Sequence, residues 1–219
     1  MHNNLYEYVS YNKQTDTNGK RVYQIGDVLL PSVTTILSAT KPKKDKDALT
    51  KWKKRVGTEQ ANIEVAQATG IGHTLHDNLE QYLKTGATPA GSVLVKLMTK
   101  LMIKKGLSNI DEWWGAECPL YYEGLYAGTT DLTGIYKSIP AIIDFKNSKK
   151  IKKLEWMDDY RCQLAAYSLA HNQMFNTDIS AGVILMVSRD CEFQEFIIDG
   201  DLYRKSVSMW LSRLDQYYQ

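Results

Sequence analysis

The chain has 219 residues, 43% hydrophobic and 24% charged, which fits one globular domain able to bury a core without disulfide or metal staples. Net charge is only +2, so bulk electrostatics alone point to no polyanionic partner. Cys118, Cys162 and Cys191 are scattered and form no CxxC pair, which argues against a zinc ribbon or an iron–sulfur cluster and reads as reduced thiols.

The first residues lack the apolar core of a signal peptide and the Arg-rich amphipathic pattern of a transit peptide. No apolar run approaches the ~20 residues of a membrane span. A cytoplasmic protein with no membrane partner is expected.

In chain order, residues 5–30 read as two or three short strands, with Asn18-Gly19 marking a hairpin turn. Pro31-Ser32 opens a short helix over Val33–Ser38, with Ser32 as its cap. Lys41–Lys46 reads as a basic connector around Pro42. From Asp47 to Leu83, apolar residues such as Leu49, Trp52, Val56, Leu75 and Leu79 recur at three- and four-residue spacings, which predicts helix with a break near Gly70–Gly72. Gly86–Gly91 is a loop. Val93–Lys105 is a second helix with Lys96, Lys100 and Lys104 on one face, and Gly106 stops it.

Strands follow: Glu117–Glu123, Tyr126–Tyr136 and Ala141–Lys146 form a meander. Leu154–Phe175 is helical. The unbroken apolar run Ser180–Ser188 predicts a strand buried on both faces, with Glu192–Ile198 as its neighbour. Asp201–Tyr217 closes the chain as an amphipathic helix. This order predicts an α/β fold with a central mixed sheet flanked by helices. Residues 1–110 would be an N-terminal hairpin and helical region and residues 111–219 an α/β core, all within one domain.

Three constellations carry chemistry. In the strand Ile142–Lys146, Asp144 and Lys146 are two apart and share a face, and Asp131 sits on the preceding strand. A carboxylate driven into an apolar strand is costly unless it is paired or bound to a metal. Alone, the Asp-x-Lys pattern is common, and Asp144 could simply end a buried strand. In the helix, Gly72, His76 and Glu80 lie at i, i+4 and i+8. His76 can offer an imidazole nitrogen to a divalent ion, while Glu80 holds the ring or a water. His73 points about 60° away from this stripe. Gln163 and Tyr167, four apart, could cover the carboxylates or merely pack at the core rim.

Taken in order, G-xxx-H-xxx-E, G-xx-D, apolar-D-x-K and Q-xxx-Y resemble the RecB-like branch of the PD-(D/E)xK nucleases, from Gly72 to Tyr167. The segment Pro31–Leu37 also resembles the opening of single-strand-directed exonucleases similar to the mitochondrial genome maintenance exonuclease and its phage and bacterial relatives.

The resemblance implies a restriction-endonuclease-like core that uses one or two Mg²⁺ or Mn²⁺ ions and no iron–sulfur cluster. It implies that His76, Asp131, Asp144 and the backbone carbonyl of Phe145 ligate metal. Lys146 would position or activate the water, Gln163 and Tyr167 would support the site, and Glu117 would add a further acidic group.

DNA, single-stranded or with free ends, is the implied partner, in replication, recombination or repair, and a bacterial or phage-infected host cytoplasm is the implied setting. Lys41–Arg55 carries eight basic residues against Asp45 and Asp47, and Lys146–Lys153 carries five against none. Lys53, Lys54, Arg55, Ser148, Lys149, Lys150 and Lys152 are the candidate nucleic-acid contacts. A double-strand endonuclease, an end-processing nuclease or a non-catalytic nucleic-acid-binding protein on the same fold stay open.

Overall fold

Two sheets organise the chain in a computed structural model that describes residues 2–3 and 5–219. The first is antiparallel, with β1 (Asn12–Thr15), β2 (Arg21–Ile25) and β3 (Val28–Pro31) side by side. Its first turn is closed by Asp16, whose carboxylate accepts the backbone N–H groups of Asn18 and Lys20, each at 2.8 Å. Ser32 caps α1 (Val33–Ala39), its hydroxyl oxygen accepting the Thr35 N–H at 3.0 Å.

Two expectations for the helical region are corrected. The stretch expected as a basic connector is mostly the first turn of α2 (Lys43–Val56), because Pro42 presets a helix-compatible φ of -55° just before it. The break expected at Gly70–Gly72 falls instead at Gly57, whose φ of 87° lies in the region that favours glycine. α3 (Thr58–Thr85) runs unbroken through both glycines, since an interior glycine weakens a helix by only about 1 kcal/mol. α4 (Val93–Lys105) follows a loop pinned by Asn78, which exchanges hydrogen bonds with the Ala90 backbone at 2.9 and 3.1 Å.

The second sheet has the order β4-β5-β6-β7-β8, formed by β4 (Ile110–Tyr122), β5 (Tyr126–Tyr136), β6 (Ile139–Ser148), β7 (Gly182–Ser188) and β8 (Phe193–Ile198). β4 starts before the expected Glu117, because register shifts between Ile110 and Gly115 blur the alternation that marks a strand. β6 pairs parallel to β7 and the remaining pairs are antiparallel. The crossover between β6 and β7 is α5 (Asp158–Phe175), entered through a single 3-10 turn at Leu154–Trp156. α6 (Gly200–Tyr218) closes the chain.

The β5–β6 turn, Lys137-Ser138, has φ values of 48° and 66°, the geometry of a tight hairpin that glycine or asparagine usually fills. Hydrogen bonds offset that strain: the Ser138 N–H donates to Asp111 at 2.7 Å and the Lys137 N–H to the Asn109 carbonyl at 3.1 Å.

Both faces of the large sheet are covered. On one, Ile142, Ile184 and Met186 pack with Leu164 and Ala165 of α5 and Trp210 of α6. On the other, Ile143, Phe145 and Leu185 pack with Leu75 and Leu79 of α3 and Met98 and Met102 of α4. Burial on both faces is why β6 and β7 read as apolar runs rather than alternating strands. Among the described residues, no helix is long and apolar enough to cross a membrane.

His171 of α5 is fully buried among Tyr6, Tyr8, Trp114 and Phe175. Its ring nitrogens meet the Tyr8 hydroxyl at 2.9 Å and the Thr177 hydroxyl at 2.8 Å. Burial lowers its pKa from 6.5 to about 4. Between those pH values the unfolded chain holds a proton that folded His171 refuses, so this group lowers stability as pH falls, by about 3 kcal/mol in all. Urea denaturation at pH 7, 5.5 and 4 is expected to show a shallower pH dependence for His171→Gln than for the wild type. Parallel curves would assign the acid sensitivity to other groups.

Candidate active site

The backbone ladder between β5 and β6 runs from Tyr136–Ile139 to Leu132–Ile143. The next pair in that register is Asp131 and Asp144. There the Asp131 carboxylate takes over as acceptor, receiving the Phe145 N–H at 2.6 Å on Oδ2. Ile142 joins the α5-side core while Ile143 and Phe145 join the other, so strand alternation puts Asp144 and Lys146 on the α5 side.

Asp144 is 2% exposed. Its Oδ1 accepts from Lys146 Nζ at 2.6 Å, and its buried Oδ2 has no hydrogen-bond partner. A half-satisfied buried carboxylate is an expensive arrangement that a bound cation would complete.

His76 on α3 reaches the same place, with Nδ1 3.3 Å from Asp131 Oδ1. Glu117 on β4 arrives from the other side. Ala116 pairs with Leu132 and Cys118 with Thr130, so Glu117 falls opposite Asp131. Its φ of 52° is unusual for a residue with a side chain. One ligand atom each from His76, Glu117 and Asp131 lie within 4.8 Å of one another. One nitrogen and several hard oxygens suit Mn²⁺ or Mg²⁺, so the residues present fit such an ion.

The electrostatics follow from burial and crowding. Glu117 is exposed at the cleft edge, yet desolvation by the surrounding protein, reinforced by the Asp131 charge, lifts its carboxyl to about 7. Burial, only partly offset by Lys146, lifts Asp144 to about 6. For Asp131, burial is outweighed by His76 and Lys146, which hold its carboxyl below the usual range. For Lys146, burial is outweighed by Asp144 and Asp131, so the ammonium stays charged. Burial also raises the Tyr167 phenol well above its ordinary range, so it remains a hydrogen-bond donor.

These groups open into a cleft of about 740 Å³. Tyr160, Gln163 and Tyr167 of α5 form one wall, and Arg21, Tyr23 and Thr34 of the N-terminal region form another. Gly128 is required here, because a Cβ would stand 2.6 Å from the Tyr167 hydroxyl. Gly72 likewise makes room for Asn147, whose Oδ1 would be 3.2 Å from a Cβ.

The structure places the remaining candidates unevenly. Glu80 lines the cleft but pairs with Lys84 at 2.5 Å, and the His76 ring is oriented by Asp131 instead. Lys149 pairs with Glu64 at 2.9 Å, and Lys150 is exposed. Lys152 lies over the Tyr160 ring at 5.5 Å. Ser148 is 6% exposed and its hydroxyl donates to the Lys150 carbonyl, which shapes the loop, and it also lines a small cavity beside Asn147. Lys53, Lys54 and Arg55 are exposed on the last turn of α2 and do not line the cleft.

Tyr160 was missed, although it lies on the Gln163–Tyr167 stripe at i−3 from Gln163. Its ring centroid is 5.2 Å from Lys146 Nζ. Arg21 carries no local signal, and only tertiary packing brings it to the cleft; Thr34 lies in the Pro31–Leu37 segment singled out in the sequence.

No family model matches the sequence. The chain is 27% identical over 207 residues to Mitochondrial genome maintenance exonuclease 1 of Xenopus tropicalis, covering 86% of this chain and 57% of that protein. It is 27% identical over 198 residues to the Mus musculus protein of the same name, covering 86% and 59%. It therefore spans less than three fifths of the length of these relatives. Among solved structures, a protein named as a proposed exonuclease of Eubacterium rectale superposes with a TM-score of 0.48 and 13% identity, over 69% of this chain and 66% of that one. The chain is thus similar in sequence, over most of its own length, to proteins named Mitochondrial genome maintenance exonuclease 1.

Proposed function

We propose that this protein is a Mg²⁺- or Mn²⁺-dependent deoxyribonuclease that hydrolyses phosphodiester bonds from DNA ends, preferring single strands, in replication, recombination or repair. The observation that carries this reading is the buried Asp144–Lys146 pair, with Asp144 Oδ2 unpartnered, beside converging His76, Asp131 and Glu117 at the floor of an open cleft. The names of the similar exonucleases support it.

His76, Asp131, Glu117 and Asp144 would hold the ion, with the Phe145 carbonyl as a further candidate. When bound, such an ion lowers the pKa of water and neutralises phosphate charge. The protein's own groups do the rest. Lys146, kept charged by its two carboxylates, donates to the phosphate or its attacking water. Tyr160 presents its ring to that ammonium and limits where it can point. Gln163 and the neutral Tyr167 phenol offer hydrogen bonds to the strand. Lys152, above the same ring, supplies a second cation for an adjacent phosphate.

A time course on linear and circular single-stranded DNA with Mn²⁺ tests the proposal. The linear form is expected to disappear and the circle to survive. Asp144→Asn and Lys146→Ala are expected to lose at least about 100-fold in rate with unchanged circular dichroism. Wild-type-like degradation by either variant would sink the assignment, and cleavage of the circle would make the enzyme an endonuclease.

EDTA is expected to stop activity and Mn²⁺ to restore it. Calorimetry on His76→Ala should show Mn²⁺ affinity falling more than DNA affinity; equal losses would remove His76 from the metal site.

Tyr160 is a positioning residue whose ring, not its hydroxyl, matters. Tyr160→Phe is expected to keep near-wild-type kcat, whereas Tyr160→Leu loses roughly tenfold in kcat with little change in KM. Equal kcat in both variants would refute the role.

A further inference from the structure

The catalytic cleft continues past Asn147. Asn147 and Ala68 line it on one side, and on the other they line a smaller cavity of about 200 Å³ whose walls include Trp52, Glu64, Lys149 and Arg189. Trp52 belongs to α2, a helix that buries none of its residues, and its indole is only half-buried. Its aromatic face is in none of the core clusters formed by the described residues.

Arg189 stands just after β7. Its backbone N–H donates to the Ser148 carbonyl at 2.9 Å, which ties it to the loop leaving the catalytic strand β6. Its Nε is buried and has no hydrogen-bond partner. Lys149 adds a second cation, held at 2.9 Å by Glu64. Two cations against one carboxylate leave a net positive cavity beside an aromatic plane.

We propose that this cavity is a second nucleotide subsite, taking one base of a single strand against Trp52 and its phosphate on Arg189 and Lys149. The inference rests on the nuclease reading and deepens it. The chemistry is specific to a single strand: a base can reach Trp52 only when it is unstacked from a duplex, and every base presents a face that can stack. A phosphate competes with Glu64 for both Lys149 and Arg189, the two cations that act on that carboxylate. The shared wall at Asn147 lets one strand run from this cavity into the cleft at Lys146, so the subsite would hold the strand in register for cleavage.

Calorimetry with oligothymidylates of two and eight nucleotides, in Ca²⁺ to prevent cleavage, tests this on the wild type, Trp52→Leu, Trp52→Phe and Arg189→Gln. The eight-nucleotide strand is expected to bind about tenfold more weakly to Trp52→Leu and Arg189→Gln, with Trp52→Phe close to wild type. The dinucleotide, too short to span both sites, should bind all four alike. Arg189→Gln should also lower the salt dependence of binding by about one phosphate contact. Equal affinity of all four proteins for the longer strand would overturn the subsite and leave the nuclease reading standing. A wild type that binds neither oligonucleotide would overturn both.

Discussion

The buried Asp144–Lys146 ion pair is the constraint around which the large sheet is arranged. An ionised carboxylate in an apolar strand is tolerable only if its charge is met nearby. One oxygen of Asp144 is met by Lys146, and the other is left without a partner. The neighbouring groups answer the same need. Asp131 ends the β5–β6 ladder by substituting its side chain for a backbone acceptor, and so stands in register with Asp144. Its own charge is balanced by His76 and Lys146. The site is a chain of mutual compensations among these charged groups.

The architecture supplies those groups from separate layers. The sheet contributes Asp131, Asp144, Lys146 and Glu117. α3, packed on one face through Leu75 and Leu79, brings His76. α5, packed on the other face through Leu164 and Ala165, brings Tyr160, Gln163 and Tyr167. Because both helices are locked by apolar contacts, the polar side chains have little freedom to drift. The glycines at 72 and 128 are the matching voids, each emptied so that Asn147 or Tyr167 can enter.

Much of this was legible along the chain, because helices and strands announce themselves by period. α4 and β5 match their expected limits, and the Ser32 cap forms as expected. The candidate site was legible where a motif is local: Asp144-x-Lys146 on one strand, Gln163-xxx-Tyr167 on one helix. Errors arose where a local signal had two meanings. Glycine marks helix breaks, yet Gly70 and Gly72 lie within α3, while the one with positive φ, Gly57, ends α2. A run of lysines suggested a connector, yet lysine is a good helix former and α2 begins inside it.

By itself the sequence determined the element order, the apolar strands buried on both faces and the residue types at the site, because these depend on spacing within single segments. Only the tertiary structure decided that Glu117 opposes Asp131, that Tyr160 lies against Lys146 and that Trp52 shares a cavity with Arg189. Those relations join residues far apart in the chain. They are set by strand register, by the packing of helices on a sheet and by the turn at Gly57, none of which is written in local spacing.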